Sequence, residues 1–444
     1  MQSPRAFALA IGLAFATAAS TAGAGTVTVI TSFPKELTAA YKAAFEKRNP
    51  GITLEILNKN TVAGIAFVRE TAAGQRPEVF WASAPDAFEV LKRDKLLAEG
   101  KDLANPAVPG KIGSYPVNDP QGYYLGQALA GYGIMYNTRY LRANKLTPPQ
   151  EWNDLLKPVW FGHVAMTSPS RSGTMHLTVE TILQGEGWDK GWGTILQMAG
   201  NSAQITERSF GVPDGVNNGQ FGAGPVIDFF GLAGKYSGFP VEFVYPQMTS
   251  IVPANIALIA GSKNAAEARK FVQFTLSQEG QELLLDPKIS RLPVLPYSTF
   301  GGKVPQGYPD AQQIAKRSKV AFNSDLSEDR YQVVQSLFDQ TITFRLKELQ
   351  VATKAILDAE AKLSGKKNAD AEALVRQARD LTFVPVISAQ IADQKDFQKL
   401  FASNKKDSAV AKQITGLEGT WNGKAKANYE RAVELARQAA GMVR

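Results

Sequence analysis

The chain has 444 residues, 44% of them hydrophobic, no cysteine and a formal net charge of +8. That is enough apolar surface for an ordinary core, which excludes a disulfide-stapled miniprotein and a disordered polymer. The mild basic excess suits anions or an anionic surface; no block of Lys and Arg interleaved with aromatics points to a nucleic-acid partner, and the pairs Lys366-Lys367 and Lys405-Lys406 read as solvated surface.

The chain opens with Arg5, an uncharged apolar run at 6–18 and the small residues Ala22-Gly23-Ala24. This is the pattern of a cleavable secretory signal peptide, so residues 1–24 are set apart from the fold. The run is too short to span a bilayer, and no later run approaches the ~20 apolar residues a span needs. No cysteine is present to carry a lipid anchor at the cut. The expected location is the periplasm.

Strand and helix signals alternate from residue 25 to about 300. "TVTVITS" (26–32) is a β-branched strand, followed by a helix from Lys35 with Leu37, Tyr41, Ala44 and Phe45 on one face. "ITLEIL" is a strand, "AGIAFVRETAAG" a helix ended by Gly74, "PEVFWAS" a buried strand and "DAFEVLKRDKLL" a third helix. A second unit of the same class starts near Gly131. It runs through "HVAMTS", the helix after "TSPSRSG", "WDKGWGTILQMAG", "SAQIT", "VPDGVNNGQ", "GAGPVIDFF", "VEFVYPQ" and "SIVPANIALIAG". The helix "NAAEARKFVQFTL" carries Asn264 at its N-cap and Glu267 three residues on, the signature of a capping box. Ala268, Phe271, Val272 and Leu276 form its apolar stripe.

After Gly301-Gly302 the pattern turns helical. "DRYQVVQSLFDQTITFRLKELQVATKAILDAEAKL" reads as one long helix, followed by "ADAEALVRQARDL" and "AKANYERAVELARQAAGMV". No repeat of fixed period occurs. The expected organisation is a signal peptide at 1–24, a first α/β lobe at 25–130 plus about 255–300, a second at 131–254, and a helical C-terminal region at 303–444. Two α/β units joined by extended segments imply a cleft between them.

Signals for enzyme chemistry are sparse. There are two histidines, His163 and His176, and the nucleophile-elbow, P-loop and dinucleotide fingerprints are absent. His176 and Glu180 stand at i, i+4, but with no third ligand in view they read as a polar helix face. No metal, cofactor or catalytic residue is expected. The richer signal is "TSPSRSGTMHLTVETILQ" (167–184), where Met175, Val179, Ile182 and Leu183 mark one buried helical face. A helix start presents unpaired N–H groups and partial positive charge. Ser170, Ser172 and Thr174 add hydroxyls, Arg171 a charged fork, and Gly173 room for close approach, which together suit a phosphate or carboxylate. Thr31 and Ser32, then Ser83, then Arg208 and Ser209 occupy similar strand-to-helix turns. Asp228 is expected to accept a ligand hydroxyl.

"GYGIMYN" (131–137) and "IALIAGSKNAAEARKFVQFTLSQEGQELL" (256–284) resemble segments of the bacterial extracellular solute-binding proteins of ABC-transporter type. "ITERSFGVPDGV", "AGPVIDFF" and "FDQTITFRLKELQ", with the serine-rich stretch, are similar to the branch that regulates phosphoglycerate transport. The resemblance implies a type II periplasmic-binding-protein fold, two hinged lobes with a helical extension, and capture of a small phosphorylated or carboxylated anion by a monomer. It implies delivery to an ABC permease or, alternatively, signalling through a membrane histidine kinase. Ferric-binding relatives use paired tyrosines; here Tyr123-Tyr124 are strand neighbours that point to opposite faces, and Tyr245 has no adjacent tyrosine. Iron therefore ranks below phosphorylated organic acids. A hydrolase would need a nucleophile, a base and a metal cluster that the residues do not supply.

Overall fold

The computed structural model describes residues 25–403 and 408–442, so the signal-peptide segment lies outside the described residues. The first half is built from β1 (Gly25–Thr31), α1 (Lys35–Arg48), β2 (Ile52–Asn58), α2 (Thr61–Glu70), β3 (Val79–Ala82) and α3 (Pro85–Arg93). A thirteen-residue strand, β4 (Leu125–Asn137), leads into the second half. There follow β5 (Val164–Thr167), α4 (Gly173–Glu186), α5 (Trp188–Gly200), β6 (Ser202–Thr206), α6 (Gly211–Asn217), β7 (Ala223–Ile227), α7 (Asp228–Tyr236) and β8 (Val241–Val244). β9 (Ile251–Ile259) and α8 (Ala265–Leu276) return to the first half.

The principal strands pair in the order β2-β1-β3-β9-β4-β7-β5-β6, with β8 also on β4. β1 is parallel to β2 and β3, and β5 is parallel to β6, whereas β9 and β7 run antiparallel to β4. Helices cover both faces of the parallel strands, which is why β3 and β5 are buried along their whole length. One strand serves both halves. Residues 125–131 of β4 pair with β9, and residues 132–136 pair with β7. The crossing requires glycine: a Cβ on Gly133 would lie 2.1 Å from the carbonyl of Val244, and one on Gly131 2.5 Å from Ile251.

The C-terminal region supplies α9 (Ser324–Asp329), α10 (Tyr331–Thr341), α11 (Leu346–Leu363), α12 (Ala369–Phe383) and α13 (Ser408–Gly441). α9 packs on α3 of the first half, and the helices that follow brace the second. Met175, Val179, Ile182 and Leu183 of α4 share one apolar core with Val334, Leu337, Phe338 and Leu349. The segment read as one helix is two, α10 and α11. The break falls at Ile342, whose φ of −117° and ψ of −63° precede a short 3-10 turn at Thr343–Arg345, within a run of three β-branched residues. The last helix starts earlier than its periodicity suggested, at Ser408.

Two local readings are corrected. Asn264 makes no side-chain cap; its amide donates to the carbonyl of Thr26 at 2.7 Å, tying α8 to β1 instead. The His176–Glu180 face is not solvated, for both residues are fully buried under the α9–α10 junction. Arg330 grips Glu180 through a fork, with Nε 2.9 Å from Oε1 and Nη2 2.8 Å from Oε2. Ser327 donates to Asp86 Oδ2 at 2.9 Å, and His176 Nε2 lies 3.3 Å from the same oxygen. Burial lowers the His176 pKa to about 4 and raises that of Asp86 to about 7.

Removing one partner of a buried ion pair strands the other. Arg330→Met should lower stability by about 3–5 kcal/mol in urea unfolding, whereas a surface pair would lose under ~1 kcal/mol. His176 is neutral when folded and takes up a proton on unfolding between its lowered pKa and the ordinary value of 6.5. Its contribution is therefore complete above pH 6.5 and is lost progressively as pH falls toward 4. His176→Asn should remove that part of the acid sensitivity; an unchanged pH profile would contradict a neutral buried imidazole.

Candidate functional site

Strand ends and helix starts from the two halves face each other across a cleft of about 360 Å³ that includes its mouth. From the first half come Ser32 and Phe33 after β1, Asn60 and Thr61 at the start of α2, and Ser83 after β3. From the second come Arg171 to Thr174 at the start of α4, Arg208 to Phe210 before α6, and Phe229 and Phe230 in α7. No aspartate or glutamate is among these lining residues.

The local grammar explains why the serines are there. Ser172 is the N-cap of α4, its hydroxyl accepting from the amide of Met175 at 3.1 Å. The same hydroxyl lies 2.6 Å from that of Ser209, joining the two turns of the second half. The amides of Gly173 and Thr174 occupy the first turn, where a helix offers no internal acceptor. Gly173 is also a point of close approach between the halves: a Cβ there would lie 2.8 Å from Thr61 Oγ1 and 3.0 Å from the Cβ of Ala84. Arg208 reaches across and donates from Nη2 to Asn58 Oδ1 at 3.1 Å. Arg171 is partly exposed and donates to Glu207, itself at the surface, at 3.1 Å.

The structure thus brings Ser32, Ser83, Arg171, Ser172, Gly173, Thr174, Arg208 and Ser209 to one cleft. It does not bring Ser170, Thr31 or Asp228 there. Ser170 turns to the hydroxyl of Ser168, which is bonded to Asp339 of α10. Thr31 is buried and accepts from the amide of Phe33. Asp228 is fully buried and its oxygens are already engaged, by the amides of Gly131 and Phe229 and the hydroxyl of Tyr245. These bonds pin the β4 crossing. Burial holds the Asp228 pKa up at about 7.

Several wall residues carried no chemical signal in the sequence. Asn60, Thr61 and the four phenylalanines of the wall belong to no motif that the sequence singled out. Phe33, Phe210, Phe229 and Phe230 give the cleft an apolar floor, with Phe229 and Phe230 ring centroids 4.4 Å apart. Arg291, 208 residues from its partner Ser83 along the chain, was not singled out at all. It is 1% exposed and lies directly behind the wall, donating from Nη1 to Ser83 Oγ at 3.1 Å. Among the described residues no group of three or more His, Cys, Asp or Glu is placed to hold a metal ion, and no helix is long and apolar enough to cross a membrane.

Comparison with known proteins agrees with this architecture. The family model described as bacterial extracellular solute-binding protein matches residues 75–307. The chain is 32% identical over 368 residues to the phosphoglycerate transport regulatory protein PgtC of Salmonella typhimurium, covering 82% of this chain and 87% of that protein. The periplasmic binding protein AfuA from Actinobacillus pleuropneumoniae, solved with exogenous fructose-6-phosphate bound, aligns with a TM-score of 0.63 at 18% identity. That alignment covers 72% of this chain and 99% of AfuA. Iron-bound HitA from Pseudomonas aeruginosa aligns with a TM-score of 0.55 at 17% identity, over 70% of this chain and 99% of HitA. At these identities the two structures speak to the fold, which is α/β and two-lobed.

The close approach at Gly173 makes a direct prediction. Gly173→Val should wedge the halves apart and break the Arg208–Asn58 link, with a larger radius of gyration in small-angle scattering. The protein should stay folded, because Gly173 stands at the cleft wall. An unchanged radius would mean that the contact does not set their distance.

Proposed function

This chain belongs to the bacterial extracellular solute-binding protein family, and we propose that it works in the periplasm, capturing a small phosphorylated or carboxylated anion of the phosphoglycerate or sugar-phosphate class. The observation that carries this reading is the cleft wall: two guanidiniums, six hydroxyls and the mouth of α4, with no carboxylate among the lining residues. A helix mouth with hydroxyl and guanidinium donors favours the anion over water, because the donors are already oriented and the dipole adds attraction. The N-terminal pattern of Arg5 and the small residues at 22–24 supports export.

Ser172, Gly173 and Thr174 hold the phosphate, and Arg171 and Arg208 neutralise it from the two sides of the α4 mouth. Ser32, Ser83 and Ser209 supply further hydroxyls. Binding proceeds by hinge closure about β4 and β9, without covalent chemistry, in a monomer. The closed form then docks on an ABC permease, which takes the ligand inward. A second output is favoured by one finding: a relative matched along most of the chain is named a transport regulatory protein. In that reading the closed form signals to a membrane sensor kinase, and the helices that grip the second half supply the docking face.

Titration calorimetry with 3-phosphoglycerate, fructose 6-phosphate and ferric citrate tests the ligand class. At least one phosphorylated compound should bind, and Arg171→Ala should weaken it about 10- to 100-fold, the range expected for a charged hydrogen bond. Binding of ferric citrate alone, or phosphate-ester affinity that ignores Arg171, would overturn the assignment.

A further inference from the structure

Arg291 is a fully buried cation whose hydrogen-bonding capacity is largely unused. Nη1 donates to Ser83, while Nε and Nη2 have no partner. The guanidinium is sandwiched between two rings, 3.9 Å from the Phe33 centroid and 3.5 Å from that of Phe229. Phe33 follows β1 in the first half and Phe229 sits in α7 of the second, and both line the cleft. The slot around Arg291 is therefore closed by the approach of the two halves. Asp228 is the nearest acidic influence on Arg291, but its oxygens are committed to Gly131, Phe229 and Tyr245, and it makes no ion pair with the arginine. Burial lowers the Arg291 pKa to about 9, a sign of how little compensates the charge.

The free edge has a particular shape. Nε and Nη2 are the two donors that Arg330 uses, in the same molecule, to clasp the carboxylate of Glu180. A guanidinium edge of this kind matches a carboxylate in a planar two-point contact. Two unpaired donors on a buried cation are costly to maintain, and the expense is explained if a ligand supplies the acceptors.

We propose that Arg291 is the specificity-determining residue of the cleft, and that the site takes a two-ended anion, a phosphate at the α4 mouth and a carboxylate on Arg291, in preference to a phosphate ester of a neutral polyol. This rests on the anion-capture reading above and narrows it. Phe33 and Phe229 exclude water from the carboxylate end, so the charge pair forms in a dry slot. Ser83 orients the guanidinium from the edge opposite the ligand.

The test compares 3-phosphoglycerate with glycerol 3-phosphate, which keeps the phosphate and replaces the carboxylate by a hydroxymethyl group. Wild-type protein should bind 3-phosphoglycerate about 30-fold or more tighter, the scale of a bidentate charged contact. Arg291→Gln should remove most of that difference, leaving glycerol 3-phosphate affinity within about threefold of wild type. Arg291→Lys keeps the charge without the fork and should lose most of the discrimination too. Melting curves identify variants that fail to fold, and the wild-type comparison stands without them. Equal wild-type affinities for the two compounds, or an equal loss for both in Arg291→Gln, would overturn the role of Arg291 while leaving phosphate capture intact. If wild type binds neither compound nor fructose 6-phosphate, phosphate capture itself fails and this inference with it.

Discussion

Positive charge gathered between two halves of one sheet is the constraint on which the rest of the structure depends. Arg171 and Arg208 stand at the wall and Arg291 directly behind it, while the nearest buried carboxylate, Asp228, is spent on backbone amides and a tyrosine. A buried cation without an ion-pair partner, as Arg291 is, is costly to maintain. The turns after β1 and β3 and the starts of α2, α4 and α6 converge on the cleft because strand ends and helix starts place amides and hydroxyls where an anion can use them.

The crossing of β4 makes the convergence adjustable. A single strand pairs with β9 in its first part and with β7 and β8 in its second, so the two halves share a continuous backbone. Gly131 and Gly133 let the neighbouring strands approach closely, and Asp228 fixes the register by accepting from the Gly131 amide. The C-terminal helices add a second link. Ser327 bonds to Asp86 in α3 of the first half, and Arg330, a few residues on, is clamped to Glu180 in α4 of the second. Glu328 pairs with Arg93 at the same place. Any motion that separates α3 from α4 must therefore break or carry with it this short segment, which joins ligand capture to the helical region mechanically.

The readable part of the sequence was the part governed by local rules. Strand-to-helix turns rich in serine announced the α4 mouth, because N-capping chemistry is written within four residues. The apolar stripe Met175, Val179, Ile182 and Leu183 announced the buried face of α4, and all four are buried. What depends on distant partners was hidden. Arg291 precedes a two-residue strand and has no local motif; its meaning comes from Phe33, Ser83 and Phe229, brought to it by the fold. Asp228 looked free to meet a ligand because the sequence does not show that Gly131 and Tyr245 will reach it first. Asn264 had the right neighbour for a capping box but found the carbonyl of Thr26 instead. His176 and Glu180 looked solvated because their cover, Ser327 and Arg330, is about 150 residues away.

Crystallography of the protein with 3-phosphoglycerate bound tests the central claim most directly. The account requires a phosphate oxygen within about 2.7–3.2 Å of the first-turn amides of α4, between the two halves, with Arg171 or Arg208 in contact. A phosphate found on the outer surface, or in the cleft but away from Gly173 and Thr174, would contradict it. In that case the serines would be no more than a helix cap.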